Sequence, residues 1–192
     1  MKQSKAKEIV VPALSLFLIC VVVTALLGLT NAVTAPQIEA LALETQEAAK
    51  AQVLPGAASF GEAKTVSVNG TAYTYYEGLD AAGAALGYVV ETAAKGYGGD
   101  ISLMVGVDAA GAVQGVSILS ISETAGLGMN AENPDFLAQF VGKSGQIGVL
   151  KNGSSETEIQ ALTGATITSE AMADGVNQAL AVCAQLGGDG NG

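Results

Sequence analysis

The stretch TVSVNGTAYTYY, residues 65–76, decides the fold class. β-Branched and aromatic residues lie on both sides of Asn69-Gly70, and both turn residues tolerate positive φ. The segment therefore reads as two antiparallel strands joined by a two-residue hairpin. Downstream, GYVVETA (87–93), ISLMVGVD (101–108) and GAVQGVSIL (111–119) add further strands around an Asp108-Ala109-Ala110-Gly111 turn before any long helical pattern begins. Strands come in a run and are not alternated with helices, so the class is α+β with an antiparallel sheet. Asn133-Pro134 starts a short helix through Phe136, Leu137 and Phe140, and IGVL before Lys151-Asn152-Gly153-Ser154 reads as another strand and turn. A C-terminal helix follows Thr168-Ser169, with Met172, Val176, Ala179, Leu180, Cys183 and Leu186 at helical spacing and Gly187-Gly188 as its stop. These elements make one soluble domain over residues 57–187, with 188–192 as a disordered tail.

Working back towards the N-terminus, Ile38, Leu41, Ala42, Thr45, Ala48, Ala49 and Val53 form a stripe at helical spacing. Thr34-Ala35-Pro36 can start this helix, so residues 34–56 form a juxtamembrane segment, either a stalk packed on its own domain or a partner-binding helix. Before it, residues 9–33 read IVVPALSLFLICVVVTALLGLTNAV without a charge. At about 1.5 Å per residue, this is long enough to cross a hydrocarbon core of about 30 Å. The run exceeds a signal-peptide core of about 7–15 residues and lacks a small-x-small exit, which favours a retained anchor over a cleaved leader. Lys2, Lys5 and Lys7 precede the span and the next lysine is Lys50, so residues 1–8 are expected in the cytoplasm and the domain outside it. The expected location is the cell membrane, crossed once.

Composition narrows the chemistry. The chain has no His, Trp or Arg, which removes imidazole bases, imidazole metal ligands and guanidinium clamps. Cys20 and Cys183 have neither metal nor redox spacing, so no metal site is expected. After residue 33, five Lys face seventeen Asp and Glu, a balance that argues against binding nucleic acid through its phosphates. No strand-to-helix GxGxxG marks a dinucleotide site.

Just before the C-terminal helix stands Leu162-Thr163-Gly164-Ala165-Thr166-Ile167-Thr168-Ser169. Hydroxyls on small-residue backbone at a helix N-terminus suit either of two roles: capping the helix, or holding a phosphate with free N–H groups and the helix dipole. The residues alone leave both open. Ser122-Glu123-Thr124-Ala125-Gly126-Leu127-Gly128 reads as a Gly-rich connection whose backbone can approach a flat ring system. Gly96-Tyr97-Gly98-Gly99-Asp100 precedes the strand pair, and Tyr97 is either a turn residue or a contact for that ring.

Thr163-Gly164-Ala165-Thr166 with Ile167-Thr168-Ser169 closely resembles the flavinylation motif of the FMN-binding domains in Rnf-type ion-translocating oxidoreductases and in the Na+-translocating NADH:quinone reductase. The Glu123–Gly128 loop is similar to the Glu-Thr-Pro-Gly-Leu-Gly loop of those domains, with Ala125 in place of proline. Gln160 stands where the family often has an acid. The resemblance implies FMN joined covalently to the Thr166 oxygen by a separate FMN transferase, with Thr163, Gly164, Ala165, Thr168, Glu123, Thr124, Gly126, Leu127, Gly128 and Tyr97 around the cofactor. It implies no catalytic residue in this chain. The chain would then be the electron carrier of the RnfG type in an Rnf complex, which couples ferredoxin:NAD+ oxidoreduction to Na+ or H+ export. Its partners would be the membrane, iron–sulfur and flavin subunits of that complex. Chain length and the Ala125 loop favour this over the NqrC type of carrier in the quinone reductase. A non-redox membrane-tethered binding module is the alternative from another class.

Overall fold

The structure, a computed structural model, describes residues 5–153 and 155–189, apart from the side chains of residues 5–8, 39, 188 and 189. The chain divides into two compact units at Glu44/Thr45.

The first unit is built on α1, a helix over Lys5–Val53 whose last residues belong to the second unit. Ile9, Leu14, Phe17, Val22, Leu27 and Val33 are all exposed. A helix apolar on every side and unburied has the composition of a membrane span, and its best 18-residue window has a mean hydropathy of 2.8. The helix start expected at Thr34 is absent. Thr34 Oγ1 donates to the Thr30 carbonyl at 3.0 Å inside the helix, and α1 runs through both Pro12 and Pro36.

The second unit is an antiparallel sheet covered on both faces. The strands are β1 (Ser59–Phe60), β2 (Lys64–Val68), β3 (Thr71–Leu79), β4 (Ala85–Lys95), β5 (Asp100–Asp108) and β6 (Val113–Ser120). They run in the order β1-β3-β4-β5-β6, with β2 also paired to β3. The expected Asn69-Gly70 hairpin joins β2 to β3. Asn69 has φ 52° and Gly70 φ 83°, the pair of positive values that a type I′ turn requires.

Two further hairpins are copies of each other. Asp80-Ala81-Ala82-Gly83-Ala84 and Asp108-Ala109-Ala110-Gly111-Ala112 each put the third-following glycine at φ 82°. In each, the aspartate Oδ1 accepts two backbone N–H groups, from Ala82 and Ala84 or from Ala110 and Ala112, at 2.8–2.9 Å. The side chain thus supplies the turn's acceptor and holds the loop. Beyond each loop the flanking strands put glycine opposite glycine: Gly78 faces Gly87, and Gly106 faces Gly115. These pairs leave two dimples in the sheet. Leu54 lies over Gly78, and the Val53 backbone lies directly on Gly106 and Gly115, where a Cβ would collide with it. The end of α1 is seated by side chains that are missing.

On that face Val53, Leu54, Tyr76, Val89 and Met104 form a core. Beside it, Tyr76 donates to Glu91 Oε1 at 3.0 Å and accepts from Gln46 Nε2 at 3.1 Å, while the Lys50 ammonium lies 3.6 Å from the Tyr76 ring centroid. Burial, then the Glu91 carboxylate, push the Tyr76 hydroxyl up to about 12. The opposite face carries α3 (Thr166–Asp189), whose Met172, Val176, Ala179 and Val182 pack on Val90, Leu103, Val105 and Val107. Each large side chain buried here contributes about 1.5–3 kcal/mol. The α3 helix starts at Thr166, six residues before Met172 opens its apolar stripe, and runs through Gly187-Gly188 to Asp189. Two residues of the expected tail are therefore helical, and 190–192 lie outside the described residues, as do 1–4 of the expected cytoplasmic segment.

The short helix expected after Asn133 is α2 (Pro134–Leu137), with Asn133 Oδ1 accepting the Asp135 N–H at 3.0 Å. The IGVL segment yields β7 (Gly148–Leu150), which pairs in parallel with β8 (Glu158–Gln160). Pairing across an intervening loop leaves no periodic signature in the sequence, so β8 has no local signal there.

Candidate functional site

The α3 N-terminus begins in a tight turn. Ala165 N–H donates to the Leu162 carbonyl at 3.0 Å, and Gly164 sits at φ 76°, the third position of a type II-like turn, where other residues are strained. The first helical bond runs from Ser169 N–H to the Ala165 carbonyl at 3.0 Å, so the N–H groups of Thr166, Ile167 and Thr168 have no helical acceptor. Ser169 locks the arrangement. Its hydroxyl, fully buried, donates to the Ala165 carbonyl at 3.0 Å and accepts the Leu162 N–H at 2.9 Å. Ser169→Ala removes that acceptor and is expected to cost about 1–3 kcal/mol, measured by denaturant unfolding.

A second turn of the same kind faces the first. Leu127 N–H donates to the Thr124 carbonyl at 3.1 Å, with Gly126 at φ 75° and Ala125 at the position where proline is favoured. Leu127 reaches across, and a Cβ on Gly164 would lie 3.1 Å from its Cδ2.

The third element is the tip of the β4–β5 hairpin, residues 96–99, closed by Gly96 N–H on the Gly99 carbonyl at 2.9 Å. It folds onto Glu123, whose Oε1 accepts the Tyr97 N–H at 2.7 Å and the Gly98 N–H at 3.2 Å.

Together these elements enclose a cleft of about 570 Å³, lined by Tyr97, Glu123, Thr124, Leu127, Gly128, Gly164, Ala165, Thr166, Ile167 and Thr168. Of the residues singled out in the sequence, Thr163 and Gly126 do not line it. Ile167 does, though the sequence assigns it no role there. Ser169 acts from behind the cleft as a brace, and its helical position next to a glycine turn is the only signal of this in the sequence. Tyr97 is 73% exposed, Ile167 49% and Leu127 43%, so the cleft has an uncovered apolar rim. Thr168 is buried and Thr166 half-buried.

The site suits a flat cofactor with an anionic end. The three N–H groups, which have no acceptor among the described residues, and the positive end of the α3 dipole favour a phosphate. The Glu123 carboxylate, which would repel one, has its Oε1 engaged by the Tyr97 and Gly98 amides. The exposed rim offers apolar contact to a ring, and the volume lies within the range of about 300–1,000 Å³ usual for such ligands. A larger groove of about 730 Å³ lies elsewhere, between the Asp108–Gly111 loop, residues 144–146 and α3. Two of its polar side chains are already engaged: Asp108 by Ala110, Ala112 and Gln114, and the Asn177 amide by both backbone groups of Ile147. The smaller cleft, at the N-terminus of α3, is the candidate site.

Residues 96–181 match the family of FMN-binding domains, and residues 1–53 match the RnfG N-terminal region. The chain is 37% identical over 191 residues to the G subunit of the Na(+)-translocating ferredoxin:NAD(+) oxidoreductase complex of Acetobacterium woodii, covering 90% of each chain. It is 35% identical over 182 residues to the G subunit of the ion-translocating oxidoreductase complex of Methanosarcina acetivorans, covering 92% of this chain and 95% of that one. Among solved structures it is similar to Shewanella oneidensis NqrC, with a TM-score of 0.53, 19% identity and 66% of each chain covered. It is also similar to the C subunit of the Na(+)-translocating NADH-quinone reductase of Parabacteroides distasonis, with a TM-score of 0.52, 20% identity and 64% and 75% coverage. At these identities the two structures establish the fold alone.

Proposed function

Since the chain belongs to the RnfG family, the G subunits of ion-translocating oxidoreductase complexes, we propose that it is an electron carrier holding FMN as a phosphoester on Thr166. The observation that carries this reading is the placement of Thr166 at the first turn of α3, lining a cleft with three backbone N–H groups that have no acceptor among the described residues.

When bound, FMN supplies the redox chemistry, accepting and passing on electrons, while the protein supplies position and electrostatics. The N–H groups of Thr166, Ile167 and Thr168 would hold its phosphate. The turn locked by Ser169 and Gly164 fixes where the Thr166 oxygen points. Tyr97, Leu127 and Ile167 would offer the flavin ring an apolar rim, and Thr124, Gly128 and Ala165 complete the wall of the cleft. A carrier of this kind needs no general base, which accords with a chain lacking His and Arg. Attachment falls to a separate FMN transferase acting on FAD. The Thr166 hydroxyl would supply the oxygen of the phosphoester and give up its proton, with AMP as the leaving group.

The span over residues 9–33 anchors the protein in the membrane with residues 1–8 on the cytoplasmic side and the flavin domain, 57–187, on the other. Residues 34–56 connect the two. The partners are the remaining subunits of an Rnf-type complex that links ferredoxin and NAD+ to the export of Na+ or H+.

The test is to express the full chain in a host that has the transferase and to look for flavin fluorescence in a denaturing gel. A fluorescent band at about 19 kDa is expected, with the FMN mass increment on a peptide fragment that contains Thr166. A non-fluorescent band refutes covalent attachment and leaves a non-redox tethered module as the better reading.

A further inference from the structure

Three separate stretches of sequence meet at one carboxylate. Glu123 Oε1 holds the Tyr97 and Gly98 amides at 2.7 and 3.2 Å, and it fills the place where a Cβ on Gly96 would stand. Its Oε2 lies 2.7 Å from where a Cβ on Gly128 would be, a spot also 2.8 Å from the Thr168 hydroxyl oxygen. Gly98 in turn packs on the Ser122 carbonyl with no room for a side chain. The glycines at 96, 98 and 128 thus open the space that lets one side chain bind the hairpin tip to the loop, beside the base of α3. None of the three has a positive φ, so space and not backbone conformation demands glycine there.

We infer that Glu123 is a positioning residue: its carboxylate draws the 96–99 hairpin tip onto the cleft and thereby sets Tyr97 at the rim. Tyr97 itself is 73% exposed, so its ring is not held by packing. The bonds that locate it are on its backbone. A hydrogen bond to a charged acceptor is strong enough to keep the tip in one place. This role rests on the reading that the cleft holds FMN, because only then does the place of Tyr97 matter to electron transfer.

The experiment uses Glu123→Ala and Glu123→Gln in the full chain. Gln keeps an oxygen that can accept both N–H groups, whereas Ala leaves none. In the flavin-free protein, amide hydrogen exchange at Tyr97 and Gly98 is expected to accelerate about tenfold or more in Glu123→Ala and to stay within about threefold of the parent in Glu123→Gln. In the flavin-loaded protein, Glu123→Ala is expected to raise flavin emission and its quenching by iodide, as Tyr97 leaves the ring, and Glu123→Gln to restore both. Unchanged exchange in Glu123→Ala, or a Glu123→Gln variant that exchanges as fast as Glu123→Ala, overturns the inference. The exchange measurement needs no flavin, so it stands or falls separately from attachment at Thr166.

Discussion

Thr166→Val is expected to abolish flavin fluorescence in the denaturing gel while leaving the domain folded. Valine keeps the β-branched shape and replaces only the hydroxyl, and Thr166 is half-buried at the first position of α3. No side-chain bond of Thr166 contributes to the turn, which is held by Ser169, Gly164 and the Ala165–Leu162 bond. The stability change should therefore be less than about 1 kcal/mol, read from the melting temperature. Thr168→Val is the control, since Thr168 is buried and lines the same cleft from deeper in the helix. It should retain covalent flavin. The opposite pattern, flavin kept by Thr166→Val and lost by Thr168→Val, would move the attachment point by two residues and sink the assignment.

Gly106→Ala carries the largest expected effect on stability. A Cβ there collides with the Val53 carbonyl and falls 3.2 Å from the Leu54 nitrogen, so backbone of the last turn of α1 has to move. Overpacking of this kind costs about 2–3 kcal/mol, and for a domain of this size that lowers Tm by about 5–10 °C. Gly187→Ala is the matched comparison, because nothing lies within 4 Å of its Cβ position on α3. There the same methyl should be neutral or raise stability by up to about 1 kcal/mol through helix propensity. Equal effects from the two substitutions would refute the seating of Val53 in the glycine pair.

Both predictions depend on features that differ in how far the sequence discloses them. Thr166 is legible as a member of a motif, yet its residues alone are equally those of a helix cap. What separates the two readings is the cleft in front of it, whose other walls come from residues 97 and 123–128. The Gly106–Gly115 pair is not legible at all. Each glycine reads singly as a weak point in a strand, and the reason for it is an approach by Val53, more than fifty residues earlier in the chain. Of the two Asp-Ala-Ala-Gly loops, the one at Asp108 stands out as a turn between strong strand patterns. Its twin at Asp80 sits in an alanine- and glycine-rich run where no such contrast marks it.

By itself the sequence determined the local elements: the apolar span, the Asn69-Gly70 hairpin, the strand run and the C-terminal helix. Each of these is set by side-chain period or by the φ that a few residues allow, and both are properties of neighbours in the chain. Only the tertiary structure decided how they meet. It carried α1 past Thr34 without a new start, paired β7 with β8 and set the end of α1 on bare glycine backbone. It also brought Tyr97, Glu123, Gly128 and Thr168 together at one end of the cleft. Those outcomes depend on space left by absent Cβ atoms and on hydrogen bonds between distant segments, and neither leaves a pattern in a local stretch of sequence.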